Sequence, residues 1–242
     1  MINVVVGQKG GVGKTTISNH ILPYLTNSNV VTEIDNNNFS SIYSNSTVVT
    51  GTSVTAKQNE LEKALNDADF DSFEGNVIID AGGGDDSSKV IKAIKEIGLE
   101  VEYWLPFTAD FETLKVLQNT RELIGDAKTN LIFSNFYDIE KDFWFIFGND
   151  EFGIDENLEI LNNFDNIYQV KNSILLGMAK SFRTTIWDLA IVHENYQLDE
   201  IKKEWREKGR EFYHQALQRH RLSISCNNLL QEVNDSKNSI KV

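Results

Sequence analysis

An apolar run, Ile2-Asn3-Val4-Val5-Val6, leads without a break into Gly7-Gln8-Lys9-Gly10-Gly11-Val12-Gly13-Lys14-Thr15-Thr16. A strand that ends in a glycine-rich turn and opens into a helix leaves few choices of fold. Such a turn directs several backbone N–H groups and a helix N-terminus at one small volume, which suits a polyphosphate. Gly10, Gly11 and Gly13 let the backbone approach where a Cβ would block the anion or the turn. Lys14 can reach the β- and γ-phosphates of a nucleotide, and the Thr15 hydroxyl can ligate Mg²⁺. Val12 and Thr16 complete the binding segment.

The rest of the chain alternates short apolar runs with helical patterns. That alternation predicts an α/β fold: a single domain with a mainly parallel, doubly wound sheet flanked by helices. Strands are expected at Ile2–Val6, Val30–Ile34, Val77–Ile79, Val101–Pro106, Leu131–Phe133 and Ile167–Val170. Helices are expected from Lys14 to about Leu22, where Pro23 kinks or ends the first, and then at Gln58–Asn66, Ser87–Ile97 and Phe111–Ile124. Asp138–Asp165 is irregular, and its aromatics (Phe143, Trp144, Phe145, Phe147) read as core or dimer contacts rather than a ligand box. Asp199 to about Arg221 reads as one long amphipathic helix. The domain is therefore drawn over residues 1–221, with 222–242 as a polar, flexible tail.

Composition narrows the function classes. One cysteine, Cys226, excludes an internal disulfide framework and an iron–sulfur site that needs several thiolates. No run of about 18 apolar residues predicts a membrane span, and the first residues enter a strand with no secretory leader. A cytoplasmic home is expected. The net charge of −13 argues against the whole surface binding a polyanion. Between Lys202 and Arg221, however, seven Lys/Arg face three Glu, a local net of +4 that leaves about −17 elsewhere. That stretch is either a nucleic-acid face or a charged, solvated helix.

Two acids end apolar strands. Asp80 closes Val77-Ile78-Ile79, and strand C-termini converge on the ligand crevice of a doubly wound sheet. It is placed to hold Mg²⁺, usually through a water. Asp35 closes Val30–Ile34. Asp85 and Asp86 follow the glycines and could approach Mg²⁺, but the first turn of a helix, where acids favour the dipole, explains them more cheaply.

The loop also carries a second lysine, Lys9, at the start of Lys-Gly-Gly-Val-Gly-Lys-Thr, and Gln8 stands where a plain phosphate loop has its first glycine. This resembles the deviant Walker A loop of the ParA/MinD family of ATPases, most closely its ParA branch. The matches span residues 1 to about 135. The resemblance implies that Lys9 reaches across a nucleotide-sandwich homodimer to the partner's phosphates. It further implies that Lys14 and Lys9 act on ATP, that Asp35 orients the attacking water, and that Thr15 and Asp80 hold Mg²⁺. Asn135 would read the base, or serve only as a turn asparagine. The family's first switch acid is replaced by Glu33, which has a changed role or a structural one. Leu105-Pro106-Phe107-Thr108 is similar to the family's strand-end proline segment.

The function implied is a slow, partner-stimulated Mg-dependent ATPase that positions DNA cargo, as in plasmid or chromosome partition. A ParB-like adaptor would stimulate it, and Lys202–Arg221 would touch DNA. The alternatives are a MinD-like positioning ATPase for another cargo and an ATP-dependent metabolic synthetase on the same scaffold. A membrane partner is not expected, because Leu222–Val242 is polar and carries little positive charge.

Overall fold

A computed structural model describes residues 1–28, 30–36, 46, 50–195 and 198–240. Seven strands form one sheet: β1 (Ile2–Val5), β2 (Val30–Ile34), β3 (Thr50–Val54), β4 (Val77–Ala81), β5 (Val101–Thr108), β6 (Thr129–Phe136) and β7 (Asn166–Lys171). Their order is β3-β2-β4-β1-β5-β6-β7, with every neighbouring pair parallel. β1 lies at the centre, so the loop that leaves it opens at the middle of the carboxyl edge. The α/β class and parallel sheet expected from the sequence are both present. β3 was not foreseen: Thr-Gly-Thr-Ser-Val is too polar to read as a buried strand.

Alternation along each strand divides the core in two. Ile2, Val4, Val6, Ile79, Tyr103 and Leu105 face one layer, made with α3 (Gln58–Ser72), α4 (Asp85–Ile97) and α5 (Phe111–Ile124). Val5, Ile78, Trp104 and Ile132 face the other. There they meet Ile17, Ile21, Ala179, Ile186, Cys226 and Leu230 from the helices behind the phosphate loop and near the end of the chain.

Helix α1 (Lys14–Thr16) continues through a π-helical stretch, Ile17–Ile21, into α2 (Leu22–Thr26). Pro23 therefore does not end this helix at Leu22. A proline removes one N–H and clashes with the carbonyl four residues back. The wider turn accommodates it, with Leu22 N–H reaching the Ile17 carbonyl five residues earlier.

The irregular segment 138–165 holds α6 (Ile139–Asp142), α7 (Trp144–Phe147) and two 3₁₀ turns, Asp150–Phe152 and Leu158–Asn163. Phe143 and Phe145 are buried against Phe107 and Phe133, as core residues. Then come α8 (Ile174–Ser181), α9 (Ile186–Asn195), α10 (Leu198–Arg206) and α11 (Arg210–Asp235).

Two boundaries differ from the sequence reading. The helix expected over Asp199–Arg221 is two helices, broken around Gly209, whose φ of 104° is costly for residues with a Cβ. The polar tail expected from Leu222 is instead the second half of α11. Cys226, Leu229, Leu230 and Val233 recur at helical spacing there and are buried on the sheet. A domain limit at residue 221 would cut this 26-residue helix.

Candidate functional site

The loop between β1 and α1 rises over the carboxyl edge of the sheet. Gly13 adopts φ 90° and hands its carbonyl to Ile17 N–H at 2.9 Å, opening the helix. Lys14, the next residue, is 8% exposed and donates from Nζ to the Lys9 carbonyl at 3.1 Å. Burial lowers its pKa, while attraction to Asp80 and Asp35 opposes that shift. The three expected site residues Lys14, Asp80 and Asp35 thus share one electrostatic neighbourhood.

Asp80 lies at the heart of it. Its side chain is buried and neither carboxyl oxygen accepts a hydrogen bond of normal geometry. Burial pushes its pKa up to about 7; the nearby Thr15 and Ser18 hydroxyls and Lys14 pull it down, while Glu33 adds to the rise. A buried carboxylate short of donors is costly, and a cation removes that cost. Among the described residues there is no cluster of three or more His, Cys, Asp or Glu that could hold a metal ion. A cation here would lean on Thr15, Asp80 and the oxygens of a bound nucleotide, which is the donor set expected for Mg²⁺.

The turn after β4, Ala81-Gly82-Gly83-Gly84, packs against both neighbours of the site. Gly84 N–H donates to Gln8 O at 2.8 Å and Gly82 N–H to Ile34 O at 2.7 Å. A Cβ on Gly82 would stand 2.9 Å from Asp35 Cγ, and one on Gly83 3.4 Å from the Gly10 backbone. The glycines let β2, β4 and the phosphate loop close on one another.

On the other side of the loop lies a cleft of about 580 Å³. Gly11, Val12, Gly13, Thr16 and Ile17 form one wall; Thr108, Ser134, Asn135, Val170 and the segment 172–178 supply much of the other. Asn135 sits at a bulge in β6 with φ 58°, a conformation asparagine tolerates, and lines this cleft. Ser134 Oγ bonds the Val12 and Phe107 carbonyls at 3.4 and 3.3 Å and ties the wall to the loop. Asn172, Ser173 and α8 were missed in the sequence. The available signal was Ser173, a helix cap two residues past the end of β7.

The Lys9 side chain turns away to α5. It is 32% exposed and pairs with Asp110, the cap of α5, and with Glu112 at 3.8 Å. Hydrogen bonding to Asp110 raises the Lys9 pKa and lowers that of Asp110. Gly10, Gly11 and Thr15 complete the loop, with Thr15 beside Asp80.

The basic stretch forms the α10–α11 corner. Lys203, Arg206, Lys208, Arg210, Arg219 and Arg221 are exposed there, and Lys202 pairs with Asp199 at 3.5 Å. Trp205 stacks on Phe212, with Lys208 Nζ 4.1 Å from the Trp205 ring centre.

No family model and no curated protein sequence matches the chain. Solved structures do. The MinD cell division protein of Aquifex aeolicus superposes with a TM-score of 0.51 at 10% identity, over 80% of this chain and 89% of that one. The fold is that of MinD. Apo McdA of Cyanothece gives 0.49 at 12% identity over 78% and 92% of the two chains. A provisionally assigned plasmid partition protein of Borrelia burgdorferi B31, bound to AMPPNP, gives 0.40 at 15% over 71% and 86%. In this MinD fold the phosphate loop, Asp35 and Asp80 all lie along the carboxyl edge of the sheet. Among the described residues, no helix is long and apolar enough to cross a membrane.

One titration behind the loop gives a measurable result. His20, on the π-helical stretch, is 2% exposed and its Nδ1 accepts Ile186 N–H at 3.0 Å. Burial, with a small push from Lys180, lowers its pKa to about 4 against the pull of Asp188. The unfolded chain therefore takes up this proton near pH 6.5 and the folded chain only near 4, so stability is lost as pH falls through that window. Asp80 has the opposite sign over an overlapping range, so the quantity to read is a difference between variants. Between pH 7 and pH 5, the parent should lose about 2 kcal/mol relative to His20→Asn in urea unfolding. Parallel curves for the two proteins would refute a buried, neutral His20.

Proposed function

We propose that the chain is a Mg-dependent ATPase of the ParA/MinD kind, a switch that dimerises with ATP and positions DNA cargo. The observation that carries this reading is the meeting of Lys14, Thr15 and the donor-starved Asp80 at one strand edge, with a second loop lysine held outside it. Loop amides and Lys14 would grip the β- and γ-phosphates. Mg²⁺, when bound through Thr15 and Asp80, would supply charge neutralisation at the phosphate oxygens. Asp35 would orient the attacking water, and the cleft beside Asn135 would take the adenine. Lys9 would leave Asp110 and reach the nucleotide of a second copy, so that nucleotide state and assembly become one coupled equilibrium. A ParB-like adaptor is the partner expected to accelerate turnover.

The cargo is tested with DNA. The exposed cations of the α10–α11 corner stand on an otherwise acidic chain, which supports that corner as the place where DNA phosphates would be met. With a non-hydrolysable ATP analogue, fluorescence anisotropy should show sequence-independent binding to duplex DNA that weakens steeply with salt. Arg206→Glu with Arg210→Glu should flatten the slope of log affinity against log salt by about two. If the analogue-bound protein ignores DNA at low salt, the DNA cargo is excluded and the switch positions something else.

A further inference from the structure

The first turn of α4 joins the two halves of the site. Asp86 is 4% exposed, and both its oxygens are engaged by one residue of another segment. Oδ2 accepts the backbone N–H of Asn36 at 3.0 Å, and Oδ1 accepts the Asn36 side-chain amide at 2.6 Å. Asn36 Oδ1 in turn accepts Ala56 N–H at 3.0 Å. Lys89, one turn along α4, lies 3.5 Å from Oδ1. An acid serving only the helix dipole would stay at its own helix end. Asp86 instead fastens the residue directly after Asp35, together with the chain leaving β3.

The neighbouring serines face the other way. Gly7 N–H donates to Ser87 Oγ at 3.1 Å, Ser87 Oγ donates to Gly82 O at 2.6 Å, and Gln8 Nε2 donates to Ser88 Oγ at 3.0 Å. Three consecutive side chains thus tie one helical turn to the exit of β2 and to the start of the phosphate loop. Between them Gly82 leaves no room for a Cβ, which would stand 2.9 Å from Asp35 Cγ and 3.0 Å from Asp86 Oδ2.

We propose that Asp86 is a positioning residue: through Asn36 it fixes the Asp35 peptide relative to the phosphate loop, and so aims the Asp35 carboxylate at the attacking water. The inference rests on the reading of Asp35 given under Proposed function. Small displacements of an aligned group cost turnover far more than binding. Asp86 therefore acts on kcat and leaves nucleotide affinity alone.

The experiment compares D35N, D86N and the swap N36D/D86N. Each is measured for phosphate release at saturating Mg-ATP and for affinity towards a non-hydrolysable analogue. In the swap, an amide at 86 still accepts the residue-36 N–H and donates to the new carboxylate, which still accepts Ala56 N–H. D86N should lose about tenfold to a hundredfold in kcat with the analogue Kd within about twofold, and the swap should restore most of the loss. A D86N enzyme with parental kcat beside an inactive D35N overturns the role of Asp86 and leaves the Asp35 reading standing. A D35N enzyme with parental turnover removes that reading and the inference with it. Should D86N not fold, the swap decides: parental kcat supports the clasp, and a folded but slow swap overturns it.

Discussion

Lys14→Gln is expected to lower affinity for Mg-ATP by about two orders of magnitude while leaving the unliganded protein as stable as the parent, or more so. The two effects have opposite signs for one reason. Lys14 is buried beneath the loop, and burial lowers its pKa, so the empty fold holds an ammonium at a cost. A neutral side chain of similar length relieves that cost. With a triphosphate bound, the same ammonium would gain a buried, charge-assisted contact. Loss of one partner from such a pair costs about 3 kcal/mol, roughly a hundredfold in Kd. Calorimetry reads the affinity, and thermal unfolding with and without Mg-ATP reads the linkage, because ligand bound only by the folded state raises Tm. A variant that binds normally would remove Lys14 from the site. One that unfolds without nucleotide would assign the lysine a structural role.

Phe133→Ala should cost about 4 kcal/mol, a large part of the 5–15 kcal/mol that a domain of this kind holds. Phe133 is wholly buried at the centre of an aromatic group, with ring centres 4.6 Å from Phe143, 5.7 Å from Phe107 and 6.0 Å from Phe147. Its loss removes the area term and these edge-on and tilted contacts together. The expected fall in Tm is about 10 °C. Phe152→Ala, at a ring 74% exposed in the same part of the chain, should change stability by no more than about 0.5 kcal/mol. Equal effects from the two substitutions would mean that segment 138–165 is not built on the β6 core.

What the sequence disclosed, and what it hid, follows from where the forces are local. The strand–glycine–helix passage through Ile2–Thr16 is written in consecutive residues, and the central parallel strands are continuous apolar runs. Both were legible. Thr50–Val54 was not, because an edge strand of small polar residues is held by its pairing with β2. The spacing Leu222, Cys226, Leu229, Leu230, Val233 was present but diluted by Ser and Asn, and only burial against β7 and α9 gives it weight. The break at Gly209 was a single glycine inside a charged run. At the site, Asp80 was found by the strand it ends. Its lack of donors, the attachment of Lys9 to Asp110 and the hold of Asp86 on Asn36 all depend on residues at least 50 positions apart, which no local pattern encodes.

In the proposed mechanism the two lysines of one loop serve different protomers: Lys14 its own, Lys9 its neighbour. Light scattering after gel filtration tests it directly, on the parent and on Lys9→Ala, each with Mg-ADP and with a non-hydrolysable ATP analogue. Expected are the 27.5 kDa monomer for both proteins with ADP, twice that mass for the parent with the analogue, and a monomer for Lys9→Ala in every condition. A parent whose mass ignores the nucleotide, or a Lys9→Ala variant that doubles as the parent does, would contradict it.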